Sequence, residues 1–532
     1  MDVAADDSLT REVKHLVEQA QLGHAHEVRQ TVESRLRELG DGTLLAGPAA
    51  MHFARTISLM YDDDAAALAA ADDMIRAAER DDQQGWRACA LATRGHQRLV
   101  LGEHDPVHYD IDAVLADLTA AEAALDLSAD GGYIASCAHV AIAIGYQPLR
   151  LYELAVPHQE AAYQISLATE GPDDPAPSMW LLNLTLLHLQ WALELYRVGL
   201  DDEAEQHSAR AYEHATAAQE RLRGDAVAIW QAPCQLFRAA AHSDGADARG
   251  AVEEMQRLLP VVRALGEAHE HVLAVPYLAV ALLREGRREE SLEVIEEALA
   301  DVRVNDRESP TYLSLAHTHT LLLSQGSEEA KAAMEYGDAL AAAAWRQRLR
   351  TLNSAETMRA YSQLREEHHQ VTRVAETDAL TGVANRRAFD RYVQSFTSSE
   401  DPHRLVGVLF LDLDNFKQVN DTLGHTIGDT MLWGVAQAIA ANARENDLVA
   451  RIGGDEFAVL LPGAGTEDTE RAAERIILAV REASHQLPTV SIGGASGPGQ
   501  DVRATIVRAD NAMYVAKRGG RNQHHVVAAS LA

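Results

Sequence analysis

The chain is short of cysteine, of positive charge and of long apolar runs, and each shortage removes a class of protein. Its 532 residues include three cysteines, Cys89, Cys137 and Cys234, far apart and in segments that read as helical. So few thiols support neither a disulfide framework nor a cysteine zinc site, and they read as small core residues. Lys and Arg number 47 against 80 Asp and Glu, for a formal net charge of −33. A nucleic-acid-binding protein presents a basic face, and none stands out; the same imbalance disfavours anionic membranes. No apolar run approaches the length of a membrane span, and Met1-Asp2-Val3-Ala4-Ala5-Asp6-Asp7 lacks the basic start of a signal peptide. The expectation is a cytoplasmic protein with no nucleic-acid partner and no membrane insertion. His269 with His271, and His368 with His369, have no convergent set of further ligands and read as surface groups.

What the chain does have is unevenly distributed. From residue 376 onward there are 15 Lys and Arg against 20 Asp and Glu, so −5 of the −33 lies there and −28 lies upstream. The upstream part is rich in Ala, Leu, Glu and Arg, with few strand signals, and is cut into helical lengths by Gly40-Asp41-Gly42 and Gly171-Pro172-Asp173-Asp174-Pro175. A weak repeat runs through it: Gly199 is followed by Ala204 and Ala211, Gly286 by Ser291 and Ala298, and Ala155 and Ala162 keep part of the spacing, while Gly23 begins another pair. Small residues at these offsets let two helices approach closely, and stacked pairs bury an apolar face that none buries alone. The pattern resembles degenerate tetratricopeptide repeats, most clearly from Leu283 to Leu299, which implies a groove for a protein or peptide, or a dimerisation scaffold.

Trp345 to Ala375 contains no Gly or Pro and reads as one long helix. Tyr361, Leu364, His368, Val371 and Ala375 alternate at three- and four-residue intervals, the seam of a short two-stranded coiled coil, the alternative being a helix packed against the last repeat. Pairing there predicts a homodimer. The expected layout is a helical repeat region over 1–340, a helical linker over 341–375 and an α+β domain over 376–532.

The chemistry concentrates in that last part. In Arg451-Ile452-Gly453-Gly454-Asp455-Glu456-Phe457, two glycines and two carboxylates sit between short apolar runs, which predicts a tight hairpin whose bare backbone admits a bulky ligand. The run Val408-Leu409-Phe410-Leu411-Asp412-Leu413-Asp414 ends in acids, and strand alternation puts Asp412 and Asp414 on one face. By itself an Asp-x-Asp at a strand end also fits a turn or cap. Beside the hairpin acids it suits a hard divalent cation, which prefers oxygen ligands, next to a phosphate. The basic run Ala516-Lys517-Arg518-Gly519-Gly520-Arg521-Asn522 can neutralise phosphate.

From about Asp378 onward the chain resembles the GGDEF-domain diguanylate cyclases. The resemblance rests on Asp378-Ala379-Leu380-Thr381-Gly382-Val383-Ala384-Asn385-Arg386-Arg387, the Asp412 strand end, the Gly453 hairpin, Thr489-Val490-Ser491-Ile492-Gly493, and the stretch from Ala509-Asp510 to Asn522. It implies a ferredoxin-like palm that joins two GTP molecules into cyclic di-GMP and two pyrophosphates. It also implies Mg²⁺ (or Mn²⁺) on Asp412, the Leu413 carbonyl and Asp455, with Asp455 or Glu456 accepting the proton of the attacking 3′-hydroxyl. By the same likeness Asn420 and Asp429 read guanine, and Lys417, Arg451, Lys517 and Arg521 hold the triphosphate where Gly453 and Gly454 admit it. Arg444-Glu445-Asn446-Asp447, with Arg475, matches the family's product-inhibition site. A non-catalytic receptor for GTP or cyclic di-GMP, or a repeat-based protein-interaction regulator, is the alternative.

Overall fold

Aspartate and serine at helix starts, and glycine at helix ends, divide the N-terminal part of this computed structural model into successive helices. The structure describes residues 3–39, 47–60, 62–104, 110–128, 131–169, 176–222, 228–243, 248–265, 269–301, 309–397, 403–444, 446–483 and 488–528, without the side chains of 3–7, 22, 103–104, 228–229, 248, 269–270, 366–374 and 483. The Gly40–Gly42 and Gly171–Pro175 breaks and Glu445 lie outside the described residues, as do the side chains of His269, His368, His369 and Val371. The chain forms two compact units, 1–364 and 365–532.

In the first unit Asp63, Asp110 and Ser309 each accept an N–H from the first turn of their helices, at Ala66, Ala113 and Tyr312, which removes one orphan donor at each start. Gly199 (φ +73°) and Gly286 (φ +80°) follow helices Ala176–Arg197 and Val275–Arg284 in the left-handed conformation, which costs little without a Cβ. Each helix packs on its neighbours in sequence. Ala155, Ala162, Ala204, Ala211, Ser291 and Ala298 are all buried, and Ser291 Oγ reaches across to the Ala279 carbonyl at 2.6 Å. Cys89 and Cys234 are buried free thiols, and Cys137 is half-buried. Among the described residues no helix is long and apolar enough to cross a membrane.

The long helix begins earlier than expected, running Glu328–Glu376 with Gly337 inside it. Up to Gln363 it is laid against the array. Arg348 is almost wholly buried, donates from Nε to the Arg150 carbonyl at 2.6 Å, pairs with Glu153, and stacks on Trp345 at 4.3 Å. Arg359 meets the buried Glu122 at 3.0 Å, and Ser362 and Gln363 reach Thr119 and Asp126. Tyr361 and Leu364 point to solvent, 68% and 64% exposed.

The second unit is one six-stranded mixed sheet in the order β1-β3-β4-β2-β5-β6. The strands are β1 (Ala384–Asn385), β2 (Leu405–Leu413), β3 (Leu448–Gly453), β4 (Glu456–Pro462), β5 (Val490–Pro498) and β6 (His524–Val527). Central β2 runs antiparallel to β4 and β5, whereas β1 with β3 and β5 with β6 are parallel. Buried on both faces, β2 alternates its side chains between two cores. Leu409, Leu411 and Leu413 pack with Leu432, Val435 and Ile476 from helices His425–Ala440 and Thr466–Ala483. Val406 and Val408 pack with Phe389 and Ala509 from helices Arg386–Thr397 and Val502–Arg518.

Candidate functional site

The carboxyl end of β2 and the β3–β4 turn meet because their registers demand it. Asp412 pairs with Glu456 on β4 and with Ser491 on β5, and the Leu413 N–H donates to the Asp455 carbonyl at 3.2 Å. The turn is Gly454-Asp455, with Gly454 at φ +52° and a register shift between Arg451 and Gly453. Arg451 braces it: Nε and Nη2 donate to the Gly454 carbonyl at 3.0 and 2.8 Å, and Nη1 to Asp378 at 3.1 Å. Burial pushes the Asp378 carboxyl up, but the Thr381 hydrogen bonds and Arg451 outweigh it and hold it below its ordinary value. Arg451, expected to touch phosphate, is thus already engaged in fixing the turn.

Asp412, 8% exposed, is the electrostatic focus. Burial raises its pKa; the Lys517 hydrogen bond, 2.6 Å from Nζ to Oδ2, opposes this, and the Asp455 and Glu456 charges reinforce it. Asp412 thus pairs with Lys517 and feels the charges of Asp455 and Glu456, oxygen donors of the kind a hard divalent cation prefers. Asp414 takes no part in that set. β2 ends at Leu413, and Asp414 accepts from Thr489 Oγ1 and Ser491 Oγ at 2.7 Å and from the Asn522 N–H at 2.9 Å. The expected pair of acids on one strand face is therefore one acid facing the hairpin and one tying β5 to the C-terminal tail.

After Asn415, in the left-handed conformation at φ +58°, helix Phe416–Leu423 carries Lys417 exposed and Asn420 half-buried. Asn420 Oδ1 is sealed from solvent without a hydrogen-bond partner. It packs so tightly on Gly428 that a Cβ there would lie 1.9 Å away. Asp429 follows, exposed, on helix His425–Ala440, and Arg521 is exposed in the tail at φ +63°.

Two further features belong to the same unit, the first at the far end of β3 and β4 from the turn. Arg444, Asp447 and Arg475 border a depression of about 100 Å³ together with Asp468 and Arg471. Asp447 accepts the Arg444 N–H at 2.7 Å, and Arg475 donates to the Asn442 carbonyl at 3.0 and 2.8 Å. Arg471 was not anticipated, although it precedes Arg475 by one helical turn and so shares its face. Glu456 borders a cleft of about 1080 Å³ whose walls include Arg386, Arg387, Arg391, Phe410 and Arg503. Arg386 and Arg387 belong to a motif noted in the sequence, but their place on this wall was not foreseen.

Residues 375–523 match the family model described as Diguanylate cyclase, GGDEF domain. The C-terminal unit is a GGDEF domain. Diguanylate cyclase TpbB of Pseudomonas aeruginosa is 38% identical over 175 residues, 31% of this chain and 40% of TpbB. Response regulator PleD of Caulobacter vibrioides is 39% identical over 163 residues, 28% of this chain and 35% of PleD. The chain thus spans about two fifths of these relatives' length or less. A crystal structure of the coiled coil and GGDEF domain of DgcB from Caulobacter crescentus with c-di-GMP is 33% identical, covering 33% of this chain and 97% of that one, with a TM-score of 0.29. Within the GGDEF domain the Gly453-Gly454-Asp455-Glu456-Phe457 signature is the β3–β4 turn with the first residues of β4.

Proposed function

We propose that the protein is a diguanylate cyclase: two copies, each holding one GTP, face each other and form cyclic di-GMP with release of two pyrophosphates. The observation that carries this reading is that register sets Asp412 opposite Glu456 and the β2 end against the Asp455 turn, with Lys517 bound to Asp412. Asp412, the Leu413 carbonyl and Asp455 would hold Mg²⁺ (or Mn²⁺), which neutralises phosphate charge and lowers the pKa of the ribose hydroxyl. Asp455 or Glu456 takes the proton from the 3′-oxygen, which then attacks the α-phosphate of the opposite nucleotide. Lys517, Lys417 and Arg521 bind triphosphate oxygens, and Arg451 keeps the turn in shape beneath them. Gly453 and Gly454 leave the backbone bare where the nucleotide lies.

Guanine selection is assigned to the Asn420 amide and the exposed Asp429 carboxylate, which suit the purine edge and its N1 and N2 donors, a donor pair that adenine lacks. The arginine-walled cleft beside Glu456 has room for the nucleotide of the opposed copy. Arg444, Asp447 and Arg475, joined by Arg471, bind product as a feedback site, since guanidinium groups suit planar bidentate phosphate recognition. The helical array, read as tetratricopeptide-like, serves as the input module for a protein or peptide ligand in the cytoplasm. The exposed Tyr361 and Leu364 mark a seam for homodimer pairing along the helix that follows.

The test is to incubate the purified full chain with Mg²⁺ and GTP and resolve the nucleotides by chromatography, beside an Asp455→Ala, Glu456→Ala variant. Cyclic di-GMP from the parent alone is the expected result. GTP bound but unconverted by the parent overturns it in favour of a receptor.

A further inference from the structure

The helical array contains a second convergence of ligating groups, unrelated to the GGDEF acids. His188, on helix Ala176–Arg197, is fully buried. Its Nδ1 lies 2.9 Å from His207 Nδ1, and Trp191 stacks on the His207 ring at 3.8 Å between centroids. The other nitrogen, Nε2, is sealed from solvent and has no hydrogen-bond partner, a state that costs a neutral polar group on the order of 1–3 kcal/mol. His214 stands two helical turns beyond His207 on helix Asp201–Arg221, so both face His188. Glu160 approaches from helix Tyr152–Thr169, and one ligand atom from each of Glu160, His188 and His214 lies within 4.8 Å of the others.

We infer that Glu160, His188 and His214 form a binding site in the array for a borderline divalent cation, zinc foremost. Two imidazoles and a carboxylate, with a fourth position left open, suit Zn²⁺ and discriminate against Mg²⁺, which prefers oxygen ligands. Donor atoms of a tetrahedral zinc site sit about 3.4 Å apart at bond lengths near 2.1 Å, so the cluster must contract by little more than 1 Å. Exposed Glu160 and half-buried His214 can supply that by side-chain rotation. His207 acts as the outer partner that fixes the His188 tautomer, leaving the Nε2 lone pair free for metal.

A second histidine pair shows what would close such a site. His139 and His158 have the same 19-residue separation and the same Nδ1 contact, at 2.8 Å, but Glu122 Oε1 occupies His158 Nε2 at 2.8 Å. There the inner nitrogen is satisfied within the protein; at His188 it is not.

The experiment uses the full chain stripped with a chelator and titrated with Co²⁺ alone, then with Zn²⁺ alone against a chromophoric chelator. The expected result is one Zn²⁺ per chain and an intense tetrahedral Co²⁺ visible band, which octahedral oxygen sites do not give. Glu160→Gln and His214→Gln each weaken binding about 100-fold or more and abolish the band, and Glu160→Gln, whose side chain is exposed, melts like the parent without metal. Asp412→Asn leaves both signals intact. No stoichiometric binding, binding indifferent to Glu160→Gln and His214→Gln, or binding lost with Asp412→Asn overturns the assignment.

Discussion

Gly493 on β5 is the position where one methyl group should do most damage. A Cβ there would lie 1.9 Å from the Met513 amide nitrogen, 2.2 Å from the Ala509 carbonyl oxygen and 2.5 Å from Met513 Cα. Ordinary contact begins at 3.4 Å, so helix Val502–Arg518 must retreat by about 1.5 Å, because close-packed backbone has no rotamer with which to yield. Overpacking of this kind costs about 1–3 kcal/mol, and contact with backbone atoms of one close-packed helix places Gly493→Ala near 3 kcal/mol. The same helix carries Lys517, one turn beyond Met513, with its Nζ 2.6 Å from Asp412. A retreat of that size takes the pair out of hydrogen-bond range, and displacements near 1 Å can cost on the order of 100-fold in rate. Urea unfolding gives the stability change, and pyrophosphate release from GTP gives the turnover. A Gly493→Ala protein with the parent's urea midpoint and turnover would refute the reasoning, because it would mean that helix and strand do not touch as described.

Gly453→Ala should behave in the opposite way. Nothing lies within 4 Å of the added methyl and its φ is not positive, so the thermal midpoint should stay within about 1 °C of the parent's while kcat/KM for GTP falls about 10-fold or more, since only the nucleotide needs that space. Arg444→Ala should raise the cyclic di-GMP concentration at which synthesis stalls by about 10-fold, read as an inhibition constant, because it removes a guanidinium from the depression shared with Arg471 and Arg475. The array should lose stability in mild acid. Burial lowers the pKa of fully buried His52 to about 4, and both its ring nitrogens lack partners. The unfolded chain then binds the proton first as pH falls, so the contribution of neutral His52 is complete above about pH 6.5 and declines towards pH 4, by roughly 3 kcal/mol. His52→Phe should flatten that part of the thermal midpoint against pH, and an unchanged slope would count against it.

The parts of the site that were legible in the sequence are those governed by local rules. Strand alternation and turn chemistry put Asp412 and the Gly454-Asp455 turn where they are, because register along β2 and β4 leaves few alternatives. What was not legible depends on partners distant in the chain. Asp414 looked like a companion to Asp412, yet its three donors lie 75, 77 and 108 residues away. The long helix looked like a free connector, but the partners of Arg348, at Arg150 and Glu153, lie 198 and 195 residues away. The histidine cluster was missed because its members come from three helices, and neighbours in sequence such as His269 and His271 drew attention instead. Arg471 was within reach, since a four-residue step back from Arg475 stays on one helix face.

The commitment of Asp414 has a consequence for the C-terminal tail, proposed above to hold phosphate. A loose segment that closes over a ligand gives up about 1–2 kcal/mol of backbone freedom per residue. Here the Asn522 N–H is already held by Asp414, and Arg481 grips the same residue through its side chain at 2.9 Å and its carbonyl at 2.6 Å. The entropy of ordering Arg521 and its neighbours is therefore spent during folding, and under the proposed function a triphosphate would meet a rigid cradle whose attraction is not diluted by having to assemble it.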